Sequence, residues 1–231
     1  MLRGFVLGLS ALAVAGVADA APVNLLVNGG FEQAPAGPGI VNGRTFGTMP
    51  GQGGSRSWDV WSSENGGGLP GWATQGNGVE VQTRRTIGGA DPVSGDYYVE
   101  LDSHPHGPDS NSTILQTVSL GVGTYALSYW YQPRTNRAGD NGLEVLWDGD
   151  VIGTHDERSG AQAGWVQFFA NLDVTAAGDH ALGFRATGLA NTTGALLDDV
   201  ALTQTPIPAA LPLLGAGFAG LAFWRRRQRR A

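Results

Sequence analysis

Between residues 21 and 205 apolar and polar residues alternate with a period of two in many short segments, and no stretch there sustains the i, i+3, i+4, i+7 spacing of an amphipathic helix. That alternation predicts strands at 97–102, 113–120, 124–132, 142–147, 151–155, 165–172, 178–186 and 196–203. In the third of these, Tyr125, Leu127, Tyr129 and Tyr131 form an aromatic-rich face, and the opposite face sets Trp130 between polar neighbours. The run Trp147-Asp148-Gly149-Asp150-Val151 predicts a hairpin, because Asp and Gly tolerate the positive φ that a tight primed turn demands. Residues 33–71 break the pattern. They are rich in Gly, Ser and Pro and hold Trp58 and Trp61, with Trp72 just beyond, which predicts a long, partly ordered loop. Strands at roughly 8 to 12 residue spacing, with turn signals between them and no internal repeat, favour an all-β, two-sheet antiparallel sandwich of jelly-roll type over a propeller.

Both ends of the chain follow other rules. Arg3, the apolar stretch from Phe5 to Val17 and the small residues up to Ala20 read as a secretory signal peptide at 1–20, cut after Ala20. At the other end Pro206-Ile207-Pro208 precedes an apolar run at 209–224 and the arginines Arg225, Arg226, Arg227, Arg229 and Arg230. At ~1.5 Å per residue this run reaches roughly 24 Å as a helix, short of the ~30 Å hydrocarbon core, so it spans only by snorkelling or by thinning the bilayer. The arginines keep the tail cytoplasmic and the rest of the chain outside.

Thr205-Pro206-Ile207-Pro208-Ala209, the apolar segment and the arginine cluster resemble the PEP-type C-terminal sorting signals of Gram-negative bacteria, in the variant read Val-Pro-Leu-Pro-Ala. Thr205 and Ile207 depart from that pattern. The resemblance implies recognition of 206–231 by an exosortase-like sorting enzyme, a membrane-embedded cysteine transpeptidase. It also implies an exported protein at the cell surface or in the extracellular matrix, anchored in the inner membrane transiently or permanently.

Composition narrows the partners. The chain has no lysine, and residues 21–205 carry eight arginines against nineteen acids, a formal charge of −11. Nucleic acid and anionic lipid are poor partners for such a surface, and divalent cations suit it. The absence of cysteine removes disulfides, thiolate metal sites and cysteine nucleophiles together.

Candidate chemistry gathers where the domain begins and ends. Asn24-Leu25-Leu26-Val27-Asn28-Gly29-Gly30-Phe31-Glu32 and Ala195-Leu196-Leu197-Asp198-Asp199-Val200-Ala201-Leu202 read as the first and last strands. Strict alternation in the last one places Asp198 on a face with Leu196, Val200 and Leu202, so its carboxylate needs a partner, an arginine or a hard cation, unless it is a solvated strand end. With few arginines available, Ca²⁺ held by Glu32, Asp198 and main-chain carbonyls is the attractive choice.

The opening segment, Leu69-Pro70-Gly71-Trp72, Tyr98-Val99-Glu100-Leu101-Asp102 and the closing Leu197-Asp198-Asp199-Val200 resemble galactose-binding-like jelly-roll domains. The wall-associated family of plants and bacteria is the nearest, and the xylan- and glucan-binding modules of glycosidases are more distant. The resemblance covers nearly all of 21–205. It implies a structural calcium near Glu32 and Asp198.

A sugar site requires an exposed aromatic face flanked by planar polar groups. Trp130, Gln132, Arg134 and Asn141 form the candidate ligand cluster, with Trp58 and Trp61 on the long loop as a lid. His104-Pro105-His106 beside Asp102 and Asp109 offers transition-metal ligands or, more simply, solvated loop histidines. Nucleophile-elbow, His-Glu-x-x-His and phosphate-loop motifs are missing, and Glu80, Glu100 and Glu144 supply only generic carboxylates for glycoside hydrolysis. The sequence therefore points to an exported, non-catalytic polysaccharide-binding module with a structural calcium. A structural or adhesive matrix protein and a glycoside hydrolase are the readings left open.

Overall fold

The computed structural model describes residues 22–49, 57–65, 67–86, 90–104, 110–157 and 163–205. The signal peptide expected at 1–20 and the sorting tail expected at 206–231 lie outside the described residues, within which no helix is long and apolar enough to cross a membrane. The strands are β1 Trp58–Trp61, β2 Ala73–Gln75, β3 Val79–Thr83, β4 Tyr97–Glu100, β5 Thr113–Leu120, β6 Gly123–Gln132, β7 Leu143–Trp147, β8 Asp150–His155, β9 Val166–Val174, β10 Gly178–Ala186 and β11 Leu196–Gln204. They form a six-stranded sheet, β1-β3-β4-β11-β6-β9, and a five-stranded sheet, β2-β5-β10-β7-β8. Neighbours within each sheet run antiparallel. This is the two-sheet jelly-roll sandwich that the alternation predicts.

Side-chain period explains the layering. Tyr125, Leu127, Tyr129 and Tyr131 of β6 are buried between the sheets, and Ser128 and Trp130 on the opposite face stay partly exposed. The shared core draws Phe31, Trp72, Leu127, Phe184, Leu197 and Leu202 from both layers. At ~1.5–3 kcal/mol for each large apolar side chain fully removed from water, this burial holds a chain that has no disulfide. The β7–β8 hairpin closes on Asp148 and Gly149 at φ of 52° and 90°, the left-handed pair of a primed turn.

Three sequence expectations change. Residues 24–32 enter neither sheet, since Asn28 and Phe31 take left-handed backbone at φ of 55° and 61° and break the extended run. Side chains supplement the two main-chain bonds to β11, Leu25 N to Leu202 O at 2.8 Å and Val200 N to Gly29 O at 2.9 Å: Asn24 Nδ2 donates to the Val200 carbonyl at 3.0 Å, and Asn24 Oδ1 accepts from Leu202 N at 2.9 Å. Gln116 of β5 accepts from Val27 N at 2.7 Å and donates to Val27 O at 2.9 Å, so the segment is clamped between the two sheets.

The expected loop 33–71 instead contributes edge strand β1, and β2 and β3 follow it as further strands beyond those expected. Buried Asp59 accepts from the amides of Val41, Asn42 and Arg44 at 2.7–3.0 Å, which orders the preceding turn. Trp61 is 0% exposed and packs its ring 5.6 Å from Phe46, so it belongs to the core and not to a lid. Finally, strict alternation fails in β11. Asp199 adopts a φ of 45° at a bulge between Asp198 and Ala201, so Leu197, Val200 and Leu202 join the main core, whereas Leu196 packs with Tyr98 in a separate small cluster.

Candidate functional site

The outer face of the six-stranded sheet carries most of the candidate chemistry. Toward its β9 edge, Trp130 of β6 stands opposite Gln167 and Ser128 opposite Phe169, which makes Phe169 a diagonal cross-strand neighbour of Trp130. Phe169 is 72% exposed and Trp130 is half-buried. Ser128, Gln167 and Asn171 surround them, and Thr124 Oγ1 donates to Asp173 at 2.8 Å further along. The result is a narrow aromatic ledge with polar margins. Sequence reasoning missed Phe169, although its signal was present: in β9 it shares a face with Gln167, Asn171 and Asp173.

Further across the same face the register aligns Val60, Glu80, Glu100, Leu196 and Gln132 in one row over five strands. Glu80 and Glu100 are buried and directly opposed, and Gln82 Nε2 donates to both at 2.7 and 2.6 Å. Arg134 Nη1 bonds both oxygens of Glu100 at 2.6 Å and the Thr192 carbonyl at 2.8 Å, and Gly194 N–H also donates to Glu100. Burial pushes the Glu100 carboxyl up, against the lowering effect of Arg134. His104 Nδ1 lies 3.2 Å from Glu80 Oε2, a bond that raises the imidazole above its ordinary pKa, and Trp58 lies across the His104 ring at 4.6 Å.

The predicted ligand cluster therefore divides. Trp130 opens to solvent, and Trp58 and Arg134 are partly exposed on the sheet's margins. Gln132 and Asn141 are buried. Asn141 Oδ1 accepts from Arg134 N and Thr135 N, and its Nδ2 donates to the Thr135 and Glu157 carbonyls at 2.8 and 2.7 Å, so it shapes the turn that carries Arg134 and has no capacity left for a ligand. Glu144 is remote from the other two glutamates, on β7 of the five-stranded sheet, where it pairs with Arg185.

A second constellation lies at the β11 bulge. Asp198 is buried, with Oδ2 accepting from Val93 N at 2.8 Å and Oδ1 from Asp199 N at 2.7 Å. Glu32 Oε1 accepts from Asp96 N and Tyr97 N, both at 2.9 Å, and Asp199 Oδ1 accepts from Ser94 Oγ at 2.8 Å. Burial first, then the neighbouring charges of Asp199 and Glu32, hold the Asp198 carboxyl up at about 8. Glu32 is also raised, chiefly by desolvation.

Among the described residues none of the ion pairs involves Glu32, Asp198 or Asp199, and no three acidic or histidine side chains stand close enough to hold one ion alone. A hard cation here would need main-chain oxygens and water besides the carboxylates. Gly29 enforces the corner, since a Cβ there would overlap the Val200 carbonyl oxygen, whose residue's N–H donates to Gly29 O at 2.9 Å.

These features define a jelly-roll β-sandwich module with an aromatic ledge on one sheet and an acidic corner at its bulged strand. No family model matches the chain. A curated protein with detectable similarity is the multifunctional-autoprocessing repeats-in-toxin of Vibrio cholerae serotype O1, 31% identical over 138 residues, or 58% of this chain. The match spans only 3% of that toxin's length.

Among solved structures, a family 35 carbohydrate binding module from Clostridium thermocellum aligns over 64% of this chain and 99% of its own, at 14% identity and a TM-score of 0.38. The K1 cleaved adhesin domain of Lys-gingipain from Porphyromonas gingivalis aligns over 66% and 100%, at 14% identity and 0.45. The apo form of a cyclase from Fischerella sp. aligns over 83% and 100%, at 14% identity and 0.49. These likenesses are too distant to bear on activity.

Proposed function

We propose that this chain is an exported, non-catalytic module that binds extracellular polysaccharide on the outer face of its six-stranded sheet. The observation that carries the reading is the Trp130–Phe169 ledge: an aromatic left 72% exposed, diagonal to a half-buried tryptophan and bordered by Ser128, Gln167 and Asn171. Such a strip matches the apolar C–H face of a pyranose, and the bordering amides and hydroxyl match its equatorial hydroxyls. The non-catalytic part is supported by Glu80 and Glu100, which are buried and engaged by Gln82, Arg134 and His104 and so leave no room for a glycosidic oxygen and a water between them.

A structural Ca²⁺ at Glu32, Asp198 and neighbouring carbonyls belongs to the same proposal. Its support is the gathering of the Glu32, Asp198 and Asp199 carboxyl groups at the bulge, with no ion pair to any of them among the described residues, and the left-handed backbone of Asn28, Phe31 and Asp199 around it. Export and sorting rest on the sequence of the two termini. The sorting reading is checked by fractionating cells that express the full chain: surface or matrix recovery is expected, and removal of 206–231 should release the chain or leave it unsorted.

Affinity electrophoresis of the protein in gels containing neutral polysaccharides tests the binding. Retention is expected for the parent, and Trp130→Ala and Phe169→Ala should each weaken it, since a single stacked ring contributes about 0.5–1.5 kcal/mol. Melting should be unchanged in Phe169→Ala, because that residue is 72% exposed. No retardation on any polysaccharide would leave the adhesive reading. The exposed apolar residues Val151, Ile152 and Val166 on edge strands β8 and β9 favour that second reading, which requires self-association measurable by ultracentrifugation.

A further inference from the structure

Each sheet ends in a strand paired on one side only, β8 in the five-stranded sheet and β9 in the six-stranded one, and a cavity of about 210 Å³ opens between them. A β-bulge makes the opening. Val145 pairs with Gly153 and Leu146 with Val151, so Ile152 is an extra residue that bends β8 outward. Gly153 keeps the wall thin, because a Cβ there would stand 3.4 Å from both Tyr129 Oη and Val145 Cγ2. Leu127, Val145, Ile152, Phe168 and Ala170 supply an apolar lining.

Tyr129, His155 and Thr154 interrupt that lining with polar groups. Tyr129 Oη lies 2.7 Å from His155 Nε2, and His155 Nδ1 lies 3.4 Å from Glu157 Oε1. Burial lowers the His155 pKa, which keeps the ring neutral, and the Glu157 carboxylate draws its single proton to Nδ1. Nε2 then accepts from the Tyr129 hydroxyl. The phenolic oxygen is left with lone pairs and no proton to give, so it recognises a donor.

We propose that this cavity binds a small, mainly apolar molecule bearing one O–H or N–H group, of the phenol type, with that group donating to Tyr129 Oη. A volume equal to about seven waters at ~30 Å³ each admits one or two fused rings. Tyr129 and His155 are only 5% and 6% exposed, too deep for the flat surface of a partner protein to reach. The site is distinct from the Trp130 ledge, although Phe169 borders both.

Calorimetric titration of the intact protein with 1-naphthol and with 1-methoxynaphthalene, which lacks the donor, tests the assignment. The expected result is saturable one-to-one binding, severalfold tighter for the naphthol. Tyr129→Phe should reduce naphthol to the affinity of the methoxy compound and leave the latter unchanged, which also reports that the cavity is intact. Gly153→Val and Ala170→Leu fill the space from opposite walls, and each should abolish both. The proposal is overturned if neither compound saturates, if the parent binds the two equally, or if binding survives in either filled variant whose circular dichroism matches the parent.

Discussion

Replacing Asp198 with asparagine should stabilise the protein without metal and blunt its response to calcium. The carboxyl is held up at about 8 against an ordinary 3.8, so the folded chain keeps a proton that the unfolded chain has already lost. Stability from this group is therefore fully present below about pH 4 and is lost as pH rises toward 8. From 3.8 to neutrality is about three pH units, at ~1.4 kcal/mol each, which sets a ceiling of about 4 kcal/mol on the cost of taking up that proton on folding.

Asparagine is neutral without taking up a proton but loses one bond, because an amide nitrogen does not accept from Val93 N, at about 1 kcal/mol. The net gain is on the order of 2–3 kcal/mol near pH 7, or roughly 4–12 °C in Tm for a domain of this size. Calcium reverses the comparison, since a ligand at 100 times its Kd adds ~2.7 kcal/mol to a folded state that holds it. Thermal melting near pH 5 and near pH 7.5, in chelator and in calcium, separates the terms. An Asp198→Asn protein that melts below the parent in chelator at the higher pH would refute the buried-charge argument. Identical melting of the parent with and without calcium would refute the metal.

Two further outcomes follow from the same geometry. Arg134→Met leaves buried Glu100 without its bidentate partner and should cost about 3–5 kcal/mol in urea unfolding, and adding Glu100→Gln should restore most of that loss by removing the orphaned charge. Gly29→Ala forces a methyl group onto the Val200 carbonyl and should cost about 1–3 kcal/mol or more, with the loss read as a lower urea midpoint at unchanged slope.

What alternation encodes is local, and the long strands were legible for that reason. Thr113–Leu120 and Gly178–Ala186 appear within the bounds their patterns predict, and the Asp148-Gly149 turn closes as its residues require. Strands β1 and β3 are nearly uniform in burial because both are covered on both faces, and β2 is only three residues long, with Thr74 alone buried. β1 buries apolar and polar residues together, shows no period of two and sank into the glycine-rich stretch around it, whereas Val79-Glu80-Val81-Gln82 of β3 alternates as the longer strands do, although no strand was expected there.

By itself the sequence determined the fold class, the absence of any disulfide, the acidic balance and the wet face that carries Trp130. Tertiary structure alone decided that Trp61, spaced like a lid residue, is sealed in the core. It alone decided that Glu80 meets Glu100 across a register, that Asn141 is consumed in shaping a turn, and that a bulge at Asp199 turns Val200 into the core and Asp198 away from it. The reason is physical. Period and composition act within a few residues, whereas register, bulges and burial are settled by partners up to 178 residues away along the chain.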